Sequence, residues 1–215
     1  MHHISYYQQV EESEQFAVEL RESTEYTQGV LAGLRTGATT FDATLEKVAK
    51  FRDDVTEQLT RHDAQQVNIF DRNYIEIPGS NPKRYTTCYD RVCEQGLQKI
   101  FDEFSHSGKH FKYGLCVDVN GYAPTHCREY SKPPTGNPAI DILACRHKRI
   151  FNDSVGIKIG KNTEPSLLQT YIRDTGEILN DLSMPVFVNG RHWGAVRVGF
   201  TTDLLLGATG HALLR

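Results

Sequence analysis

SMPVFVNGRHWGAVRVGF, residues 183 to 200, sets two runs rich in β-branched and aromatic residues on either side of an Asn-Gly pair. Such a pair between apolar runs is the strongest short-range hairpin signal, because both central positions of a type I′ turn need positive φ. A second pair, Asn120-Gly121, stands between KYGLCVDV (112 to 119) and YAPTHC (122 to 127). Two hairpins are therefore expected, and the rest of the chain is placed around them.

Upstream of the second hairpin, LLQTYIRD (167 to 174) and EILNDLSMPVFV (177 to 188) flank Thr175-Gly176 and read as two more strands. The Pro-rich stretch SKPPTGNPAIDILACRHKRIF (131 to 151) is expected to be a loop leading into a short helix around 138 to 150, a lid over one sheet face. Residues 88 to 105 return to helical spacing, with Val92, Leu97, Ile100, Phe101 and Phe104 on one side. Before them, IEIPGSNPKRY (75 to 85) carries two prolines and a glycine and reads as an irregular connector.

The first third of the chain is read as helix. Ser13 to Leu34 are helix formers with an acidic bias, and Gly29, Gly33 and Gly37 predict a break near 35 to 40. After Thr39 and Thr40, either of which can cap, Phe41, Leu45, Val48, Val55, Leu59, His62 and Ile69 recur at threes and fours, with Arg52 and Gln66 filling the seam. The spacing predicts one helix of about 30 residues, roughly 45 Å long, whose stripe reads either as lying on its own domain's core or, ahead of that, as pairing with a second chain. The fold expected is α+β: a long helical stem (1–72, broken near 35–40), a PAS-like or Cache-like antiparallel five-stranded sheet with covering helices (73–202), and a tail (203–215).

A formal net charge of −3 with scattered Lys and Arg gives no footprint for a nucleic-acid backbone. The amino terminus has no apolar core of a signal peptide, and LLLGATGHALL near the other end is too short and Gly-broken to span a bilayer, so a soluble cytoplasmic protein is expected. Cys88, Cys93, Cys116, Cys127 and Cys145 are an odd set without framework spacing and read as free thiols.

Motif chemistry is sparse. VGIKIGKNT (155 to 163) superficially suggests a phosphate loop, but only three residues separate Gly156 from Gly160, and Asn162 replaces the magnesium-binding hydroxyl residue. No GxSxG, HExxH or paired CxxC occurs. Cys116, His126, Cys127, Cys145 and His147 share one region, yet adjacent strand positions and a Cys-x-His spacing are poor for chelation, and no metal or other cofactor is expected. An enzyme using His126 with Cys116 or Cys127 lacks an orienting group.

The candidate site lies under the lid. Arg146 and Arg149, three apart in CRHKRIF, read either as a solvated helix end or as fork-shaped donors to a carboxylate ligand. Tyr130, Tyr171 and Trp193 are candidate walls, or plain core. His126 and Asp174 are the further polar candidates, Asp174 also being a turn residue before Thr175-Gly176.

CVDVNGYAPTH (116 to 126), SKPPTGNPAIDI (131 to 142), CRHKRIFND (145 to 153), KNTEPSLLQTYIRDTGEI (161 to 178) and VNGRHWGAVRVGF (188 to 200) together resemble the carboxy-terminal region of a group of bacterial methyl-accepting chemotaxis proteins. FDATLEKVAKFRDDV (41 to 55) and NIFDRNYIEIPGSNP (68 to 82) are similar to the segment leading into it. The chain departs from that pattern with Cys127 in place of Asn and Asn137 in place of Asp. The resemblance implies a Cache-like or PAS-like sensory module acting in signal transduction and taxis, without the methylatable hairpin of a complete receptor. The function expected is binding of a small ligand with transmission through the stem of a homodimer to a chemoreceptor partner. The alternative is a dimerisation and interaction module with no ligand.

Overall fold

The computed structural model describes residues 40–172, 178–202 and 204. The expected first helix and its break, Asp174 and most of the tail lie outside the described residues. Helix α1 runs Thr40–Ala64 and is followed by two short strands, β1 (Ile75–Glu76) and β2 (Tyr85–Thr86), which pair with each other. Helix α2 (Asp90–Ser105) leads into β3 (Phe111–Asp118), then come helices α3 (Pro138–Ala144) and α4 (Ser154–Lys161). Strands β4 (Leu167–Ile172), β5 (Ile178–Val188) and β6 (Arg191–Phe200) complete an antiparallel sheet in the order β3-β6-β5-β4. The fold is α+β.

At the hairpin that opened the sequence reading, Asn189 (φ +51) and Gly190 (φ +78) both have positive φ, as a type I′ turn requires, and they join β5 to β6. Asn120-Gly121 behaves differently. Only Gly121 is left-handed, and the Asp118 carboxylate accepts from the Asn120 and Tyr122 backbone N–H groups, closing an Asx-type turn. No fifth ladder strand follows it. Pro124 has no N–H to donate, and Ala123 exchanges backbone bonds with residues 148 and 149 instead, leaving an isolated bridge between Tyr122 and Ile150. The sheet of the described residues is therefore four-stranded, not five-stranded.

Helix α1 is 25 residues long and ends where Gln66 turns left-handed (φ +64). Leu45, Val48, Phe51, Val55 and Leu59 are buried, in one core with Leu97, Phe101, Phe104, Val196 and Val198. The expected pairing seam ran through Arg52. The observed inward position is Phe51, between Val48 and Val55, while Arg52 is part-exposed and pairs with Asp53. The stripe read as a dimer seam is thus spent on the chain's own α2 and sheet. Residues 40–64 and the sheet share a single core.

The glycines once considered for a phosphate loop have a packing role. A Cβ at Gly156 would lie 2.2 Å from the Phe151 carbonyl oxygen, and one at Gly160 would lie 2.6 Å from that of Asp118. Asp153 caps this helix through the N–H groups of Val155 and Gly156, and Asn137 caps α3 through that of Ala139. The Asn at 137 supplies the same capping oxygen that an Asp would.

Candidate functional site

Register divides the sheet into two unlike faces. Gly114, Cys116, Val196, Val198, Leu182 and Met184 share one face, and a Cβ at Gly114 would meet the rings of Phe104 and Phe51, so α1 and α2 cover it. On the other face the register sets Tyr113 opposite Gly199, Gly199 opposite Asp181, Asp181 opposite Gln169, and Arg197 beside them opposite Leu115 and Ser183. Tyr113, Gln169, Asp181, Ser183 and Arg197 are all buried. A sheet that is apolar on one side thus carries an ion pair, a phenol and an amide on the other.

Arg197 donates through Nε to Asp181 Oδ2 at 2.9 Å and also through Nη2 to the same oxygen. The Tyr113 hydroxyl stands 3.0 Å from that oxygen and 2.7 Å from the Tyr171 hydroxyl. Burial pushes the Tyr113 phenol well above its usual range, and the Asp181 carboxylate adds to that, so the hydroxyl keeps its proton and donates. Burial is the largest influence on the Arg197 cation and works against it, but Asp181, Tyr113 and Tyr171 together outweigh it and the guanidinium stays charged. The Tyr113 ring lies against Gly199, where a Cβ would come within 2.3 Å of it.

What sets this cluster apart is what it leaves unpaired. Among the described residues, seven buried side-chain polar atoms have no hydrogen-bond partner, and three of them are Gln169 Oε1, Gln169 Nε2 and Asp181 Oδ1. Asp118 is paired through both oxygens, taking the Tyr74 hydroxyl at 2.6 Å and Arg72 Nε at 3.2 Å on Oδ2 and two backbone N–H groups on Oδ1, while Asp90 takes Thr86, the Thr87 N–H, the Tyr122 hydroxyl and Lys148, all on Oδ2. Burial raises Asp118 above the usual carboxylate range even so, against the pull of Arg72. These two fasten connectors to the domain, whereas Gln169 and Asp181 point unused bonding capacity into it.

The residues singled out from sequence fall around this cluster at different depths. Tyr171 joins it directly through its hydroxyl. The His126 ring lies 5.9 Å from Tyr113 and 5.1 Å from Tyr130, extending an aromatic row from the sheet to the loop. His126 Nδ1 accepts from the Cys127 backbone N–H, so the ring proton of the neutral form belongs on Nε2. Arg146 and Arg149 both donate to the Ile142 carbonyl oxygen near the end of α3 and stack on Phe151, at 5.6 and 5.3 Å from its centroid. Arg197 stands 5.8 Å from the same ring. The Phe151 ring is thus a neighbour common to the two lid arginines and the buried one.

Trp193 is no part of this face. Its Nε1 donates to the Ile69 carbonyl oxygen at 2.8 Å and its ring meets Tyr89. Gln169, Asp181 and Arg197 were not singled out from sequence, although each is a polar residue within a largely apolar strand. No three His, Cys, Asp or Glu side chains converge as a metal site among the described residues. All five cysteines are unpaired, and no described helix is long and apolar enough to cross a membrane.

No family profile and no curated protein matches the chain. Solved structures similar to it include an extracellular ligand-binding receptor from Desulfohalobium retbaense, at 15% identity and a TM-score of 0.36, over 77% of this chain and 25% of the other. A domain of a sensory box/GGDEF family protein from Vibrio parahaemolyticus is similar at 14% identity and a TM-score of 0.37, over 77% of this chain and 62% of the other. The chain spans under two thirds of either. Likeness of this extent leaves the functional reading to the residues of the chain itself.

Proposed function

We propose that the chain is a non-enzymatic sensory module that binds a small molecule on the polar face of its sheet. The observation that carries this is the buried Arg197–Asp181–Tyr113 cluster with three polar atoms left unpaired beside it. Leaving buried polar atoms unsatisfied costs roughly 1–3 kcal/mol each, a cost that a ligand supplying the missing partners would recover. The adjacency of β3 and β6, first and last strands of the main sheet, agrees with a PAS-like or Cache-like order. The sequence resemblance adds a chemoreceptor context: a cytoplasmic homodimer that hands its state to a chemotaxis signalling partner.

Transmission in this reading needs no free stem. Helix α1 packs on β5 and β6 from the face opposite the cluster, so a shift of those strands on binding is felt by α1 through the sheet. A ligand drives such a shift only as far as its affinities for the two arrangements differ. The second reading, an interaction module without ligand, draws on Ile140, Ile142 and Leu143, which α3 leaves exposed. A thermal-shift screen of the full chain against amino acids, organic acids, nucleobases and redox agents separates the two. A concentration-dependent rise in Tm with one compound class is the expected result. A flat screen of a well-folded chain would move the weight to the interaction module.

A further inference from the structure

We propose that the ligand of this face is a planar heterocyclic base carrying an amino group next to an unprotonated ring nitrogen, the edge that adenine and cytosine share, and that Gln169 and Asp181 read that edge. The inference rests on the sensory reading above and names its ligand class.

The unpaired atoms define the complement. Gln169 Oε1 and Asp181 Oδ1 are acceptors and Gln169 Nε2 is a donor, so the missing partner presents two donors and one acceptor. The two hydrogens of one amino group supply both donors, and the neighbouring ring nitrogen supplies the acceptor. A glutamine amide facing an adenine edge in this bidentate way is a general recognition geometry. Gln169 and Asp181 are direct partners across β4 and β5, so the two side chains that carry the three atoms are neighbours on one face.

Charge disfavours the obvious alternative. Arg197 directs Nε and Nη2 to Asp181, which already balances its charge, and the carboxylate's free oxygen would repel an anionic ligand reaching for the remaining guanidinium N–H groups. Arg146 and Arg149 both donate to the Ile142 carbonyl near the end of α3. A neutral ligand fits a site whose own charges already cancel. Aromatic walls suit a flat one: the Tyr113 ring lies along β6 over Gly199, and half-buried Tyr171 stands beside it.

A lactam base such as hypoxanthine puts a carbonyl where the amino group belongs, and even with the Gln169 amide turned over to meet it, Asp181 Oδ1 is left without a donor and faces a second acceptor. A site built on hydrogen bonds rejects such an analogue strongly. The test is calorimetric titration of the full chain with adenine, hypoxanthine and benzoate, repeated on Gln169→Leu. Adenine is expected to bind at one site at least tenfold more tightly than hypoxanthine, with benzoate silent. Gln169→Leu should lose at least tenfold in adenine affinity while the Tm of the unliganded chain stays level or rises, since the substitution removes two unsatisfied polar atoms. If that variant fails to melt cooperatively, Gln169→Met gives the same readout with the original side-chain length.

Equal binding of hypoxanthine, or undiminished adenine binding by the variant, would overturn the proposal. Silence of adenine together with a hit from another class in the thermal-shift screen would sink the base reading and leave the sensory one standing. Silence of adenine and of every class in that screen, from a folded chain, would remove both.

Discussion

His147 shows how one side chain's surroundings dictate its chemistry. Its Nε2 lies 3.0 Å from Arg84 Nη1, and since a guanidinium can only donate, the imidazole must accept there and stay neutral. The proton then belongs on Nδ1, the atom that faces Cys145 Sγ at 3.9 Å. Burial, then Arg84 and Lys148, bring the His147 pKa down to about 4 from its usual 6.5. A histidine depressed in the folded state binds its proton more readily when unfolded, so its contribution to stability is full above pH 6.5 and is lost as pH falls toward 4. Chemical denaturation between pH 7 and pH 4 should therefore show a falling midpoint. His147→Gln, which keeps an acceptor but cannot titrate, should flatten that slope; an unchanged slope would show that other groups carry it.

At the scale of elements, the sequence was legible where local chemistry decides and opaque where register does. Asn189-Gly190 announced β5 and β6, and the helical spacing from 88 to 105 announced α2. Helix α4 was missed because eight residues with two glycines have little helical signal; its cap Asp153 and the backbone it touches define it. The polar cluster was hidden by a bulge. Counting outward from the turn sets Arg197 opposite Leu182, whereas the extra β6 residue, Trp193, set against the Val186/Phe187 step puts it opposite Ser183, on the same face as Asp181. One residue of slip moves an arginine across a sheet, and only coordinates reveal it. On α1 the choice between adjacent residues is settled by contacts: Phe51 meets the Phe101 and Phe104 rings at 5.9 and 4.5 Å while Arg52 pairs with Asp53 near the surface. Phe51→Ala should cost about 3–5 kcal/mol in a urea melt. Arg52→Ala should stay within roughly 0.5 kcal/mol; a reversal of that order would restore the coiled-coil register.

For the molecule as a whole, the consequence is that α1 is part of the domain and not an appendage to it. Val48, Val55 and Leu59 are fully buried, and Trp193 on β6 is tied to the Ile69 carbonyl just beyond the helix. A chain beginning at residue 70 should lose its cooperative thermal transition, because the apolar face of the sheet would open to water. Retention of the full-length Tm would mean that the helix is dispensable and stem-like after all.

Four of the five thiols, Cys93, Cys116, Cys127 and Cys145, are shut inside this architecture, and Cys88 alone is exposed. Burial holds Cys93 and Cys127 near a pKa of about 12, so almost none of either exists as the reactive thiolate at neutral pH. Their positions span α2 and the loop beyond β3, so a disulfide-exchange reagent that consumes one sulfur at once and the others later is timing the opening of those two regions. The protein carries its own stopwatch for breathing motions, wound by the same burial that keeps the inner thiols protonated.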